Sequence, residues 1–292
     1  MRILITGVTG YLGGHLAHRF EWAGAEIHAT RRATSEVQYV ELRSVVWHDV
    51  ARGSAAIVAD AKPDVILHSA THYGRGADDA DVERVNLTWP SELLDAAVAQ
   101  RVPLFVNVDT SLPPAISAYA RTKRAFAEAA RARAIRGDIR VLNIRLESVY
   151  GPDDGAEKFQ SVLLGAIRAG VKSFPLTPGA QTRDYIYVDD AVDAIILLIE
   201  HARNASEPYL EAGVGAGREV SIREFAETMI SVARENRLQV ATRLDFGALP
   251  YRESELMHAC ADISLLKRLG WKGARGLQRG LADLIGKEMN RE

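Results

Sequence analysis

Tyr119 and Lys123 stand four residues apart in AYARTKRAF, and Thr110 precedes the tyrosine by nine. Residues four apart on a helix share a face, so the phenol and the ammonium would point the same way. A cation beside a phenol favours phenolate and draws its pKa down from about 10 toward neutral pH. Such a tyrosine can pass a proton to or from a hydroxyl or a carbonyl oxygen. Thr110 ends the apolar run LFVNVDT, where an open α/β sheet presents its ligand groups, and its hydroxyl can hold the same oxygen. Thr110, Tyr119 and Lys123 are thus the candidate catalytic set.

A second constellation lies at the beginning of the chain. In ITGVTGYLGG, Gly7, Gly10 and Gly13 follow the strand-like run RILIT and open a helical pattern. Gly7 permits a tight turn, Gly10 lets backbone approach a pyrophosphate, and Gly13 lets helix and strand pack closely, with the helix N-terminus facing the anion. The expected dinucleotide contacts are Gly7, Thr9, Gly10, Tyr11, Leu12 and Gly13. The second strand ends in HATRR, so Thr30, Arg31 and Arg32 stand where an NAD site commonly offers a carboxylate. Arginine suits a 2′-phosphate, so NADP(H) is expected, with NAD(H) the other possibility. Asp49 and Val50 after VVWH, and His68, Ser69 and Ala70 at the end of VILHSA, complete the expected cofactor cleft.

These residues need a scaffold that brings strand ends and helix starts together. Through the first half, short apolar runs (RILIT, EIHAT, SVVWH, DVILHSA, LFVNV, VLNIRL) alternate with helical patterns. Unalternating apolar runs joined by helical crossovers imply strands covered on both faces, hence a Rossmann-type, doubly wound parallel α/β sheet. After Gly151-Pro152 the rhythm loosens, with helices predicted near 158–169 and 221–234 and loops such as SFPLTPGAQ. The division expected is a dinucleotide-binding domain over 1–150, to which the segment 184–204 returns, and a smaller C-terminal α/β substrate domain over 151–292.

Composition excludes other classes. A net charge of −2 with mixed signs offers no field for nucleic acid or an anionic membrane. The single cysteine, Cys260, and the lack of a metal-ligand cluster suit a reducing compartment and no metal cofactor. MRILITG is too soon broken by glycine for a secretory leader, and no stretch approaches the roughly 20 apolar residues of a membrane span, so a cytoplasmic location is expected.

The chain resembles the extended short-chain dehydrogenase/reductase family, NAD(P)-dependent enzymes acting on nucleotide sugars. The likeness rests on TGVTGYLGG, DTS, YARTK, RLESVYGP and RDYIYVDD. It implies that Tyr119 donates the proton, Lys123 activates it and holds the nicotinamide ribose, and Thr110 contacts the carbonyl while hydride passes between nicotinamide and a sugar carbon. Sugar dehydratases of the family follow the threonine with Asp-Glu; Ser111 and Leu112 stand here, which disfavours dehydration. The gap from Thr110 to Tyr119 is shorter than in the family's epimerases. Together ATHYGRG, RLESVYGPDDGAEKF, TPGAQTRDYIYVDD and DFGALPYRESELM look like CDP-abequose and CDP-paratose synthases. That likeness implies an NADPH-dependent reductase of the 4-keto group of a nucleotide-linked, CDP-type deoxyhexose. The alternative is an epimerase that keeps its cofactor bound, and a third reading is a non-catalytic NADP(H)-binding regulator. Expected substrate contacts are His72, Tyr73, Thr110, Ser111, Glu147, Ser148, Lys158, Arg183 and Arg252, with Arg252 on the diphosphate. Arg183 serves either a phosphate or a structural pair with Asp184 or Asp189. The family also implies a homodimer through the helix KRAFAEAARARAIR.

Overall fold

A computed structural model describes residues 1–35, 42–74, 76, 78–273 and 275–289. In chain order the elements are β1 Arg2–Thr6, α1 Tyr11–Trp22, β2 Glu26–Arg31, β3 Val45–Asp49, α2 Ser54–Ala61, β4 Val65–His68, α3 Asp79–Glu83, α4 Trp89–Ala99, β5 Leu104–Thr110, α5 Ala118–Ile135, β6 Arg140–Leu146 and β7 Ser148–Tyr150. There follow α6 Phe159–Arg168, β8 Ser173–Leu176, β9 Thr182–Arg183, β10 Tyr185–Tyr187, α7 Val188–Asn204, β11 Tyr209–Val214, β12 Val220–Ser221, α8 Ile222–Glu235, β13 Arg243–Phe246, α9 Ser264–Arg268 and α10 Leu277–Met289. A π-helical turn, Arg84–Thr88, joins α3 to α4.

The chain forms two units that interleave along the sequence. The first comprises Met1–Leu146, Val192–Val214 and Ser264–Trp271. It carries a parallel sheet of seven strands in the order β11-β6-β5-β4-β1-β2-β3. The apolar runs form its interior because each strand is covered on both faces: Ile3, Leu4, Ile5, Ile66, Phe105 and Leu142 are fully buried. Strand order reverses between β1 and β4, the switch point outside which such sheets bind ligands. The strand-end residues Thr6, His68 and Thr110 therefore share one edge.

The second unit comprises Glu147–Ala191, Gly215–Ile263 and Lys272–Glu292. Its strands pair only in twos: β7 with β10, β8 with β13, and β9 with β12. Aromatic packing of Tyr150, Tyr185, Tyr187 and Phe225 takes the place of a broad sheet. Asp184 is fully buried and ties three loops, accepting from the backbone N–H of Ala216, Gly217 and Ala261 at 2.6, 2.9 and 3.0 Å.

Candidate active site

The glycine turn is built as a dinucleotide cradle requires. Gly7 has φ +77°, and a Cβ there would lie 2.6 Å from the backbone nitrogen of Ala70. A Cβ on Gly13 would run into the carbonyl of Gly7, so β1 and α1 approach as closely as they do only with glycine at both places. Gly10 is exposed, and α1 begins there with no side-chain cap and no acidic residue in its first turn. The first-turn N–H groups at Tyr11, Leu12 and Gly13 therefore present an anion site. Thr6, which the sequence reading passed over, braces the cradle. Its hydroxyl accepts from the N–H of Ser69 and Ala70, each at 3.2 Å, and lies 2.9 Å from Nδ1 of buried His68. Burial, and secondarily the Lys123 charge, hold the His68 pKa well below the usual histidine value, so this ring is neutral. These residues fit a pyrophosphate-bearing cofactor.

Thr110, Tyr119 and Lys123 come together at the end of β5. Ser117 caps α5, its hydroxyl accepting from Ala120 N–H at 3.2 Å, and this fixes the first turn, which carries Tyr119. The short link is taken up by a 3₁₀ turn at Pro114–Ile116, and despite it the Tyr119 phenol hydrogen-bonds with the side chains of Thr110 and Thr71. The rings of Tyr73 and Tyr119 are 5.1 Å apart. Lys123 is 2% exposed and its ammonium donates to the carbonyl of Val108 at 2.5 Å.

This geometry corrects the expected acidification of Tyr119. Burial pushes the phenol pKa up, with Tyr73 and Asp109 adding to the rise, and the bonds to Thr110 and Thr71 offset only part of it. The Lys123 ammonium is turned to a β5 carbonyl, and burial lowers its own pKa to about 8. In this state Tyr119 is a neutral phenol poised to donate a proton.

Asn86, fully buried in the π-helical turn, fixes the loop that brings Thr71, His72 and Tyr73 to the site. Its amide accepts from His72 N–H and donates to His72 C=O, both at 2.8 Å, while the His72 ring accepts from Gly74 N–H at 3.0 Å. His72 is thereby committed to loop structure, and Tyr73 packs on Tyr119. Ser111 presents its carbonyl to Arg145 Nη2 at 3.2 Å.

The cofactor-selecting residues are placed differently from expectation. The Arg31 guanidinium lies over the Trp47 ring, 5.1 Å from its centre, and Arg32 Nε donates to Ser35 at 3.3 Å. Both side chains are exposed. Buried Thr30 lies within β2. Asp49 caps the 3₁₀ turn that Val50 opens, accepting from Ala51 N–H at 2.9 Å.

Five expected substrate contacts lie in the second unit. Arg183 is consumed structurally: it donates to the carbonyls of Thr182 and Leu256 at 2.7 and 2.6 Å and pairs with Glu255 at 2.6 Å. That removes it from the phosphate role, and its partner is Glu255, not Asp184 or Asp189. Glu147 and Ser148 are half-buried at the start of β7, Ser148 donating its N–H to Asp184 C=O at 3.1 Å. Lys158 precedes α6 beside Asp154, and Arg252 is exposed in a turn closed by Glu255 N–H. Among the described residues, no cluster of three or more histidine, cysteine or acidic side chains suits a metal ion, and no helix is long and apolar enough to cross a membrane.

The profile of the NAD dependent epimerase/dehydratase family matches residues 3–210. CDP-abequose synthase of Salmonella typhimurium is 28% identical over 97% of both chains. The dTDP-L-rhamnose 4-epimerase of Burkholderia thailandensis is 24% identical over 100% of this chain and 96% of its own. Among solved structures, MoeE5 in complex with UDP-glucose and NAD superposes with a TM-score of 0.83 at 25% identity, covering 100% of this chain and 99% of MoeE5. These findings overturn two expectations. NADP(H) gives way because MoeE5 holds NAD. The NADPH-dependent 4-ketoreductase gives way to the epimerase alternative, because a 4-epimerase matches over the whole chain alongside the NAD-bound structure.

Proposed function

Because the chain belongs to the NAD dependent epimerase/dehydratase family, we propose that it is a nucleotide-sugar epimerase that works with NAD(H) and inverts a hydroxyl-bearing carbon of the hexose. The observation that carries this reading is the Tyr119 phenol held by Thr110 and Thr71 beside buried Lys123, in the same unit as an uncapped glycine turn. Relatives acting on CDP-, dTDP- and UDP-linked sugars support a nucleoside-diphosphate hexose as the substrate class.

Gly7, Gly10, Gly13 and the first-turn amides of α1 would hold the dinucleotide, which when bound supplies reversible storage of a hydride and a positive ring near the sugar. The protein's part is proton movement and orientation. Tyr119 Oη, once ionised in the loaded site, takes the proton of the sugar hydroxyl as that carbon is oxidised and, now the neutral phenol, gives it back as the carbon is reduced from the other face. Thr110 and Thr71 fix the phenol, and the Thr110 hydroxyl also orients the sugar oxygen. Lys123 holds the end of β5 through the Val108 carbonyl. Ser111 and Leu112, in the positions of the dehydratase Asp-Glu pair, leave elimination of water without an acid or a base.

The test is a panel of UDP-, dTDP-, CDP- and GDP-hexoses incubated with the protein and a trace of NAD. The expected result is an epimeric nucleotide sugar, seen by NMR, with no net change in absorbance at about 340 nm, where the reduced nicotinamide absorbs. Mole-for-mole formation or loss of NADH, or no new sugar from any donor, would contradict the proposal.

A further inference from the structure

A line of polar side chains runs under α5 within the otherwise apolar sheet. Alternate residues of a strand share a face, so Asn107 and Asp109 point the same way from β5. The register sets Asn107 beside Asn143 of β6, and Asn143 beside Glu211 of β11. The Asp109 side chain is completely buried. One carboxylate oxygen accepts the N–H of Thr110 at 2.8 Å; the other accepts from Asn143 at 3.2 Å and lies 3.7 Å from Arg124. Arg124 lies 3.6 Å from Glu211, which also accepts from Asn143 at 3.0 Å and from the Tyr209 hydroxyl at 3.0 Å. Asn107 closes the chain by donating to Asn143 at 2.7 Å.

An ionised carboxylate at such depth is costly unless it is paired and hydrogen-bonded. An apolar side chain would fill the place without that cost, so the carboxylate marks a need for its charge or its bonds. Both point toward the candidate site. Asp109 grips the backbone of Thr110, and Lys123, itself buried, grips the carbonyl of Val108 on the other side. The two opposite charges hold consecutive peptide groups at the end of one strand.

We propose that Asp109 is a positioning residue: it fixes the backbone that presents Thr110 and serves as the buried counter-charge of Lys123. This rests on the reading of Thr110, Tyr119 and Lys123 as the proton-transfer set. The direction of charge coupling agrees, since Asp109 raises the Lys123 pKa against the lowering by burial. The other groups around Lys123 are accounted for. His68 on β4 is neutral, Tyr119 and Arg124 lie on α5 itself, Glu211 on β11 is paired through Arg124, and Arg145 on β6 stands opposite Asp109 in the register. Arg84 pairs with Asp81 and Arg121 with Asp79, among exposed side chains.

The test compares Asp109→Asn, Asp109→Ala and Arg124→Gln. The Lys123 titration is followed by NMR on protein carrying ¹³C at the lysine ε-carbon, with no sugar present, and turnover is measured across pH. Asp109→Asn keeps an acceptor for Thr110 N–H but removes the charge, so the Lys123 midpoint falls by about one pH unit or more. Loss of the acceptor in Asp109→Ala lowers kcat by about 10²-fold with little change in KM, and Asp109→Asn recovers part of that loss. Arg124→Gln, which strips the carboxylate of a cation, moves the Lys123 midpoint upward and keeps the question answerable if neither Asp109 variant folds. An unmoved midpoint in folded Asp109→Asn or in Arg124→Gln overturns the counter-charge, and full turnover in Asp109→Ala overturns the positioning. The midpoints are read without sugar, so they decide the matter even if no nucleotide sugar is epimerised.

Discussion

Replacing Lys123 by methionine exposes the energetic cost of keeping an ammonium inside the fold. Burial depresses its pKa from 10.5 to about 8, which at about 1.4 kcal/mol per pH unit corresponds to about 3 kcal/mol. Between pH 8 and 10.5 the unfolded chain binds a proton at this position that the folded chain does not, so stability gained from this residue rises with pH across that window. Below pH 8 the folded protein carries the whole penalty; above 10.5 it carries none. Methionine is of similar length and never charged, so the variant lacks this rise. Urea unfolding of both proteins at intervals from pH 7 to 10.5 would show their stability difference changing by about 3 kcal/mol in favour of the parent. All other titrating groups are common to both and cancel. A difference that stays constant over the range would refute the reasoning and mean that Lys123 is better solvated than its 2% exposure implies.

Three other substitutions probe separate parts of the account. Tyr119→Phe should lower turnover by about 10² or more while leaving NAD affinity by calorimetry unchanged, since only the proton carrier is removed. Gly7→Ala, at φ +77° and with the new Cβ against Ala70, should abolish measurable NAD binding and cost about 1–3 kcal/mol of backbone strain, read as a lowered melting temperature. Arg183→Met leaves Glu255 as an unpaired, largely buried charge, and should destabilise the protein by about 3–5 kcal/mol in urea unfolding without altering NAD affinity.

The sheet was legible because its strands are apolar on both faces and its helices carry clear punctuation. RILIT begins and ends where β1 does, and the glycine turn follows directly. β11 was not legible: YLEAGV is interrupted by a glutamate and a glycine, and it becomes a strand by pairing with β6, far away in sequence. The partnership of Thr110, Tyr119 and Lys123 could be read from strand-end position and helical spacing. Their electrostatics could not, because the pKa of Tyr119 depends on how deeply the phenol lies and on which carbonyl Lys123 reaches. Arg31 misled for a similar reason: its partner Trp47 belongs to the neighbouring strand β3. Arg183 was left between two roles until Glu255, distant in the chain, proved to occupy its fork. Asp109 carried a usable signal, since two polar residues at alternate positions in LFVNVDT mark one face of a strand. Thr71 and Asn86 carried none, because their roles arise from a loop folded onto a π-helical turn.

The most direct test of the central claim uses a nucleotide hexose carrying deuterium at the carbon to be inverted, with C4 of UDP-glucose as the first choice. If Tyr119 moves only the proton and the hydride is stored and returned within one active site, NMR of the epimer will show deuterium fully retained at that carbon in ordinary water. An epimer that has lost its deuterium to solvent would contradict the account.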